Sequence, residues 1–416
     1  MVRSKWLSLL MLFTGCATTA GIYILRTPVV AETDPGDDGT IRFVTANLAV
    51  SPGINWGSST RLKHIGDIVR TLYEENDVVC LQEVWPYEDK IRLMEELGIE
   101  DDRYYITDTR GMGETGTNYC DGGLSSIKAC VRKRCADVPV EDQTTCAREQ
   151  CTIQLGMLLL FKRACADCLV SMVGHSIDDI ALACGRPPGH TKVYDGSNGV
   201  ILLSKHGLRN RSYELLPASS ANRVVLFAEV RGSEMPPIEV GCTHLSSEEI
   251  FPPTYGGFSS WDEERIAQLR GISRAFDRRR GPRTQVLIGD MNFGPDQPGD
   301  VTGFSLPAWE ESDRLGYLSP IANTIPRPCS FCSGNRLRFD SDGPSFLVDH
   351  VLYHRENNVA GLVPTFARTL PLPLVEICVR ERGGRCVRTK QVHLSDHRPV
   401  QVGFTVTSSR SDHVAR

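Results

Sequence analysis

Short apolar runs, each flanked by polar residues, recur along the chain and restrict the folds it can adopt. They are five to eight residues long and strand-like, whereas two longer segments, Ser59–Glu75 and Asp262–Arg278, have the apolar spacing of amphipathic helices. Strands are predicted at Ile41–Leu48, Val78–Val84, Met157–Lys162, Gly199–Ser204, Val224–Val230, Ile238–His244, Val286–Asp290, Val348–Tyr353 and Val400–Val406. Many strands with few helices favour an α+β fold in which two sheets pack as a sandwich.

Composition narrows the class of protein. The chain has 416 residues, of which 41% are hydrophobic, so it can bury a sizeable core. Its formal net charge is -5. Binding to a nucleic-acid backbone needs a local excess of Lys and Arg. The net charge therefore argues against a protein whose whole surface binds nucleic acid, although it is compatible with a local basic cleft.

The N-terminal segment, residues 1–31, indicates export. Arg3 and Lys5 precede an apolar stretch that runs from Trp6 to about Leu25. A cleaved signal peptide, a signal anchor and a lipoprotein cleaved before Cys16 are the three alternatives, and each places the remainder outside the cytoplasm. We expect residues 32–40 to be a linker, 41–407 a single domain interrupted by a cysteine-rich insertion at 110–190, and 408–416 a tail.

The fifteen cysteines fit an oxidising compartment. Cys80 and Cys242 lie in strand-like apolar runs, where we expect buried free thiols. An even number lies in loop-like sequence, which predicts disulfides: Cys120, Cys130, Cys135, Cys146, Cys151, Cys165, Cys168, Cys184, Cys329, Cys332, Cys378 and Cys386. Zinc is the alternative, because two of the spacings are those of metal knuckles.

Polar side chains stand at the ends of several predicted strands, where active-site residues are commonly displayed. They are Asn47, Gln82, Glu83, His244, Asp290, Asn292, Asp349, His350, Asp396 and His397. Each alone has a structural explanation, such as a turn or a hydrogen-bonded core histidine. Together they supply the oxygens that hold a hard cation and the imidazoles that move a proton near it.

The segments that contain these residues resemble, in order, those of the DNase I-like endonuclease/exonuclease/phosphatase superfamily. They read ANL, LQEVW, NGVILLSK, THL, IGDMN, VDHVLY and SDHRPV, and they span nearly all of residues 41–406 outside the insertion. The resemblance implies a four-layer α/β/β/α sandwich of two mainly antiparallel sheets. It also implies a metal-dependent phosphodiesterase.

The resemblance further implies a division of roles. Glu83 is expected to be the principal Mg²⁺ ligand, with the amide oxygen of Asn47 beside it as a second ligand. Asp396 is expected to ligate a second or transient metal, and Mn²⁺ and Ca²⁺ are alternative ions. His397 is expected to be the general base, oriented by Asp349.

Three further residues complete the expected site. Asp290 and Asn292 are expected to position water and phosphate, and His244 is expected to donate to a phosphoryl oxygen or the leaving group. By contrast, His350 is expected to be structural, because neighbouring strand residues face opposite sides of a sheet. His393 is expected to be exposed.

Three features favour a sphingomyelinase C-type enzyme acting at a phospholipid surface. The segment Asn55–Gly66 resembles the region after the first strand of bacterial neutral sphingomyelinases, and Trp85 stands where a choline ammonium would meet an aromatic face. The aromatic loop Phe251–Trp261 suits a membrane interface.

A DNase I-like nuclease is the alternative, with phosphate contacts from Arg209, Arg211, Arg278–Arg280, Arg283, Arg336 and Arg338. A non-catalytic binding module is a third candidate, disfavoured because no catalytic-type position is missing. In each case we expect a monomer.

Overall fold

The computed structural model describes residues 39–112, 119–120, 124–186, 192–232, 235–248, 257–279, 283–296, 301–326 and 328–407. The predicted export segment 1–31, most of the linker and the tail lie outside the described residues, as does the loop segment 251–256. Within the described part of the chain, no helix has the length and apolar character needed to cross a bilayer.

The first of two large sheets has the strand order β11-β14-β1-β2-β4-β3. Its strands are β1 Ile41–Val50, β2 Val78–Val84, β3 Tyr104–Tyr105, β4 Ile201–Ser204, β11 Leu362–Thr369 and β14 Val400–Val406. Only the β1–β2 pair is parallel. Two helices pack on its outer face, α1 Ser58–Glu75 and α2 Tyr87–Leu97.

The second sheet has the order β5-β6-β7-β8-β10-β9 and again one parallel pair, β7–β8. Its strands are β5 Leu208–Leu216, β6 Arg223–Val230, β7 Ile238–His244, β8 Thr284–Asp290, β9 Tyr317–Leu318 and β10 Asp349–His354. The helices α8 Trp261–Arg278 and α9 Leu306–Arg314 cover its outer face.

An apolar core contributed by both sheets lies between them, so the four-layer sandwich is confirmed. The amphipathic spacing of α1 is confirmed too: Leu62, Ile65, Val69 and Leu72 are all buried under it. Burial of a side chain of this size contributes about 1.5–3 kcal/mol. One face of α1 is therefore a substantial part of what holds the helix against the sheet.

The cysteine-rich segment between β3 and β4 is helical. It contains α3 Ser125–Arg134, α4 Gln143–Gln150, α5 Thr152–Phe161, α6 Arg163–Ser171 and α7 Ile177–Ala183, which surround a small core of their own. The predicted strand Met157–Lys162 is therefore wrong. A short apolar run has no decisive periodicity, and the Met and Leu residues that fill it are good helix formers.

The predicted disulfides are confirmed for all twelve loop cysteines, and the zinc alternative is excluded because each thiol is paired. Four bonds brace the insertion: Cys120–Cys165, Cys130–Cys151, Cys135–Cys146 and Cys168–Cys184. Cys329 pairs with Cys332, and Cys378 with Cys386. The last bond joins β12 Leu374–Arg382 to β13 Arg385–His393, a two-stranded hairpin.

The free-thiol prediction for Cys80 and Cys242 is wrong. These residues form a disulfide between β2 of one sheet and β7 of the other, and both are fully buried. Each lies in an apolar strand, and a buried free cysteine is common in such a strand. Only the packing of the two sheets brings the sulfur atoms together.

Candidate active site

The polar strand ends converge at one edge of the sandwich because of strand register. In the parallel β7–β8 pair, His244 lies opposite Asp290, and in the antiparallel β8–β10 pair Asp290 lies opposite Asp349. In the first sheet, Asn47 at the end of β1 lies opposite Gln82, next to Glu83. The structure thus brings together residues that are up to about 350 positions apart.

Glu83 is held at the end of β2 in an unusual backbone conformation. Its φ of 59° lies in the left-handed region, which a residue with a side chain adopts at a cost of about 1–3 kcal/mol. Gly199 allows the approach, since a Cβ there would lie 3.1 Å from the Glu83 Cα. Ser51 Oγ donates to Glu83 Oε2 at 2.6 Å. Strain of this kind concentrates at functional sites.

Asn47 connects carboxylates that belong to the two different β-sheets. Its Nδ2 donates to Glu83 Oε1 at 3.1 Å and to Asp290 Oδ2 at 2.9 Å. Its Oδ1 accepts from the Ala49 amide at 3.0 Å, and that contact sets the orientation of the amide. Asn47 therefore lies beside Glu83, but it directs its amide nitrogen toward the carboxylates instead of the oxygen that was expected to bind the metal.

His397 and Asp349 form a buried pair. His397 Nδ1 and Asp349 Oδ2 are 2.7 Å apart, while His397 Nε2 lies 3.8 Å from Asp290 Oδ2. The hydrogen bond at Nδ1 leaves Nε2 as the nitrogen that faces the carboxylate cluster. The other oxygen of Asp349, Oδ1, has no hydrogen-bond partner among the described residues. This is the geometry of a histidine oriented by a carboxylate.

The carboxylates perturb one another. Burial, reinforced by the negative charge of Asp349, raises the pKa of Asp290 to about 7. Burial also raises the pKa of Asp396, and the Glu83 charge adds to that rise. Burial disfavours the charged form of His397, but the charges of Asp349 and Asp290 outweigh it and hold the His397 pKa well above its usual value.

The pKa of His244 is shifted in the opposite direction. Burial, together with the positive charge of Arg223 and of His397, holds the pKa of His244 well below its usual value. Its Nε2 lies 3.5 Å from Asp290 Oδ2, and its Nδ1 has no hydrogen-bond partner in the described part of the chain. The pKa values of the two histidines are thus shifted in opposite directions, because the Nδ1 of His397 is hydrogen-bonded to Asp349 and the Nδ1 of His244 has no such carboxylate partner.

Asn292 follows β8 in a left-handed conformation, with a φ of 49°. Its amide N–H donates to Asp290 Oδ1 at 3.0 Å, and its Nδ2 donates to the Leu245 carbonyl at 3.1 Å. Asn292 therefore orients Asp290 and ties the end of β8 to the residue after His244.

Asp396 and His397 are presented by a loop that is anchored on both sides. Ser395 Oγ donates to the Asn47 carbonyl at 2.6 Å. Arg61, which is fully buried, donates to the Leu394 carbonyl at 2.8 Å and also to the Leu48 and Ala49 carbonyls. Sequence reasoning missed the roles of Ser51, Arg61 and Arg223. A buried arginine has no sequence signal of its own, because its burial is a tertiary property.

Trp85 is enclosed rather than open. Its side chain is 5% exposed, its ring stacks on Tyr194 with centroids 5.7 Å apart, and the Arg223 guanidinium lies over it at 5.1 Å. The ring also contacts His244, with centroids 5.9 Å apart. A cation of the protein itself therefore stands against the ring that was expected to receive a substrate ammonium.

Two other histidines, His350 and His393, lie outside the cluster. His350 is fully buried, with its Nδ1 2.9 Å from Ser319 Oγ and its Nε2 2.9 Å from the Phe293 carbonyl, as a structural residue requires. His393 is only partly exposed, since its Nδ1 accepts from the Arg336 amide at 2.9 Å.

The donor set fits a hard divalent cation. Glu83, Asp290, Asp349 and Asp396 bring four carboxylates to one place, and the raised pKa values of Asp290 and Asp396 show that their charges are incompletely compensated. Ligand atoms of Asp290, Asp349 and His397 lie within 4.8 Å of one another. That trio differs from the predicted set of Glu83, Asn47 and Asp396. Because His397 and Asp349 are hydrogen-bonded to each other, Glu83, Asn47 and Asp396 remain the predicted ligands.

Comparison with solved structures shows the same fold. SmcL has 14% identity and a TM-score of 0.54, with 88% of this chain and 99% of that chain covered. Sphingomyelinase C from Streptomyces griseocarneus has 16% identity and a TM-score of 0.50, with 88% and 100% covered. A variant of beta toxin from Staphylococcus aureus with bound magnesium ions has 14% identity and a TM-score of 0.50, with 87% and 99% covered.

A search of curated proteins found no match. The model of the endonuclease/exonuclease/phosphatase family, in contrast, matches residues 44–397, a range that includes every one of the converging residues described above. The chain therefore belongs to the endonuclease/exonuclease/phosphatase family, and it is a metal-dependent phosphoesterase.

Proposed function

We propose that the protein is a secreted, Mg²⁺-dependent phosphodiesterase that releases the headgroup of a phospholipid, in the manner of a sphingomyelinase C. The observation that carries the proposal is the His397–Asp349 pair, whose free imidazole nitrogen faces Asp290 within a cluster of buried carboxylates. This arrangement supplies a proton acceptor beside a cation site, as metal-assisted hydrolysis requires.

A bound divalent cation would offset the carboxylate charges that raise the His397 pKa, and so would favour the neutral imidazole. His397 Nε2 then takes the proton of the attacking water, and Asp349 stabilises the imidazolium that results. Asn292 holds Asp290 in place to orient that water. His244, whose lowered pKa keeps it neutral, donates its N–H to a phosphoryl oxygen or the leaving group. Glu83, Asn47 and Asp396 would hold the Mg²⁺ ion, which would supply positive charge against the charge that develops on phosphate.

The phospholipid assignment is supported by the sequence resemblance around Asn55–Gly66 and by the fold shared with sphingomyelinase C. The enclosed ring of Trp85 does not support choline recognition at that residue, because Arg223 lies over it. We therefore propose that the phosphodiester binds near Arg223. Recognition of choline by Trp85 stays a prediction, and it would require the Arg223 guanidinium to move away from the ring.

The nuclease alternative draws less support from the structure. Arg278, Arg279 and Arg283 form ion pairs with Glu214, Glu239 and Glu229. Glu239 and Arg283 lie near the beginnings of β7 and β8, whereas His244 and Asp290 lie at their ends. Arg279 and Arg283 are thus neutralised and placed at the far end of the sheet, where they would not guide a nucleic-acid backbone into the site. Arg278 is neutralised by Glu214.

The test is phosphocholine release from sphingomyelin liposomes in Mg²⁺ and in EDTA, beside nicking of plasmid DNA under the same conditions. Metal-dependent release without nicking is the expected result. Nicking without release, abolished by His397→Ala, would establish the nuclease instead. Inactivity in both assays, together with inactivity on a soluble chromogenic phosphodiester, would favour the binding module.

A further inference from the structure

The segment Ser51–Gly57, here called the active-site loop, joins β1 to α1 and carries one side chain into the site. Ala49, with a φ of 53°, turns the chain at the end of β1, where the β1–β2 register shifts. Ser51 follows, fully buried, and its hydroxyl donates to Glu83 Oε2. The position of Ser51, and with it the Ser51–Glu83 hydrogen bond, therefore depends on the path of the active-site loop.

Three side chains of helix α4, in the cysteine-rich insertion, form hydrogen bonds with that loop. Thr144 Oγ1 donates to the Gly53 carbonyl at 2.9 Å, and Arg148 Nη2 donates to the Ile54 carbonyl at 3.1 Å. Glu149 Oε1 accepts from Trp56 Nε1 at 2.8 Å. These contacts fall on Gly53, Ile54 and Trp56, so they define the path of the loop through its middle.

The residues just before α4 hold the end of the loop. Asp142 Oδ1 accepts from the Gly57 amide at 2.9 Å, and Glu141 accepts from the Ser59 amide and hydroxyl. Gly57 is the N-cap of α1 and provides no side-chain cap. The two carboxylates of the insertion take over that role, which is favourable beside the positive end of a helix.

Gly174 of the insertion and Tyr194 beyond it contact the active-site loop from the other side. A Cβ on Gly53 would lie 2.1 Å from the Gly174 amide nitrogen, so only glycine permits this backbone approach. The Gly174 amide also donates to Thr144 Oγ1 at 3.3 Å, and Tyr194 Oη donates to the Pro52 carbonyl at 2.9 Å. The active-site loop is consequently held from Pro52 to Gly57.

Helix α4 is itself held in place by two disulfides. Cys135–Cys146 and Cys130–Cys151 join α3 to α4 and to the residue after it. The side chains of Thr144, Arg148 and Glu149 therefore project from a braced frame rather than from a mobile loop.

We propose that the insertion is a positioning element for the metal site: it fixes the active-site loop so that Ser51 holds Glu83 in its metal-binding orientation. Groups that orient a ligand affect metal affinity by about 10- to 100-fold. The inference rests on the proposed role of Glu83 as a metal ligand. It gives the insertion a function in tuning the affinity for the divalent cation.

The experiment measures Mn²⁺ binding to the full chain without substrate, from the loss of the free-ion electron paramagnetic resonance signal. Ser51→Ala should weaken binding about tenfold, and Ser51→Thr, which keeps the hydroxyl, should largely restore it. Thr144→Val and Arg148→Met should each weaken binding about three- to tenfold. In a Ser51→Ala background the same two substitutions should change binding less than about twofold, because a double-mutant cycle removes an effect that acts through the deleted group.

The matched control is Arg132→Met, the same substitution in the same insertion, at an exposed residue that pairs with Asp178 instead of the loop. It should leave Mn²⁺ affinity unchanged. An equal loss in Arg132→Met, additive effects in the Ser51→Ala background, or full affinity in Ser51→Ala would each overturn the inference.

Two readings separate this inference from the proposed function. If Glu83→Gln binds Mn²⁺ as tightly as the native chain does, the premise is wrong and the inference falls with it. If Mn²⁺ binding follows the expected pattern while no phosphodiester is hydrolysed, the proposed function fails and the positioning role of the insertion stands.

Discussion

The disulfide between Cys80 and Cys242 joins the two sheets directly beneath the site: Cys80 is three residues before Glu83 and Cys242 two residues before His244. Both sulfur atoms lie within the core shared by the sheets. The strand that carries the predicted metal ligand is thereby covalently linked to the strand that carries a predicted proton donor.

Removing this bond with the pair Cys80→Ala and Cys242→Ala should lower the free energy of unfolding by about 2–5 kcal/mol, because it closes a long loop in the unfolded chain. Urea unfolding of the oxidised protein measures the loss. The pair Cys329→Ala and Cys332→Ala is the control, since a separation of 3 residues closes a far smaller loop than one of 162. Equal losses in both would contradict the loop argument.

Removing the proposed base should abolish turnover while leaving the fold intact. We expect His397→Ala to lower kcat by about 10²–10⁴-fold, and Asp349→Asn to lower it as well, because the neutral amide no longer stabilises the imidazolium. The control is His206→Ala, which removes a histidine with the same kind of aspartate partner, Asp77, at 2.9 Å. Asp77 precedes β2 and His206 follows β4, so the pair lies at the opposite end of β2 from Glu83. Loss of activity in His206→Ala to the same degree would show that the assay reports folding.

A divalent cation should stabilise the protein, since it relieves repulsion among the buried carboxylates. Mg²⁺ at a hundredfold excess over its Kd should raise the free energy of unfolding by about 2.7 kcal/mol. Thermal melts with Mg²⁺ and with EDTA test this. Glu83→Gln should reduce the difference between the two melts, while Glu376→Gln, on the exposed hairpin, should leave it as it is. An unchanged difference in Glu83→Gln would remove that residue from the metal site.

Asp142 should make stability depend on pH. Burial raises its pKa from an ordinary 3.8 to about 7, and the hydrogen bond from the Gly57 amide offsets only part of that rise. The folded state then holds the proton more tightly than the unfolded state does, so Asp142 contributes a loss of stability as pH rises from about 4 to about 7.

Asp142→Asn should lack this slope, and urea unfolding between pH 4 and pH 8 measures it. The slope is the informative quantity, because any cost of the new amide nitrogen is the same at every pH. Parallel pH profiles for the two proteins would show that the pKa of Asp142 is the same in the folded and unfolded states.

Most of the sandwich could be predicted from local sequence. The predicted bounds of β2 and β7 agree with the structure, and those of β1, β8 and α8 differ by only one or two residues. These elements have clear periodicity and polar ends, which are local properties. The same pattern failed at Met157–Lys162, where an apolar run too short to show a period belongs to a helix.

The site could be predicted in part for the same reason. Asn47, Glu83, His244, Asp290 and Asp349 mark strand ends, and the order of their motifs pointed to the family. The sequence by itself therefore determined the two-sheet fold, the metal-dependent chemistry and the disulfide-rich character of the chain.

Tertiary structure decided the rest. The Cys80–Cys242 bond, the placement of Arg223 over Trp85 and the grip of α4 on the active-site loop all join residues that are distant in sequence. No local pattern encodes them, because strand register and sheet packing determine which side chains meet. Local sequence therefore predicts which residues can do chemistry, and packing determines what each of them contacts.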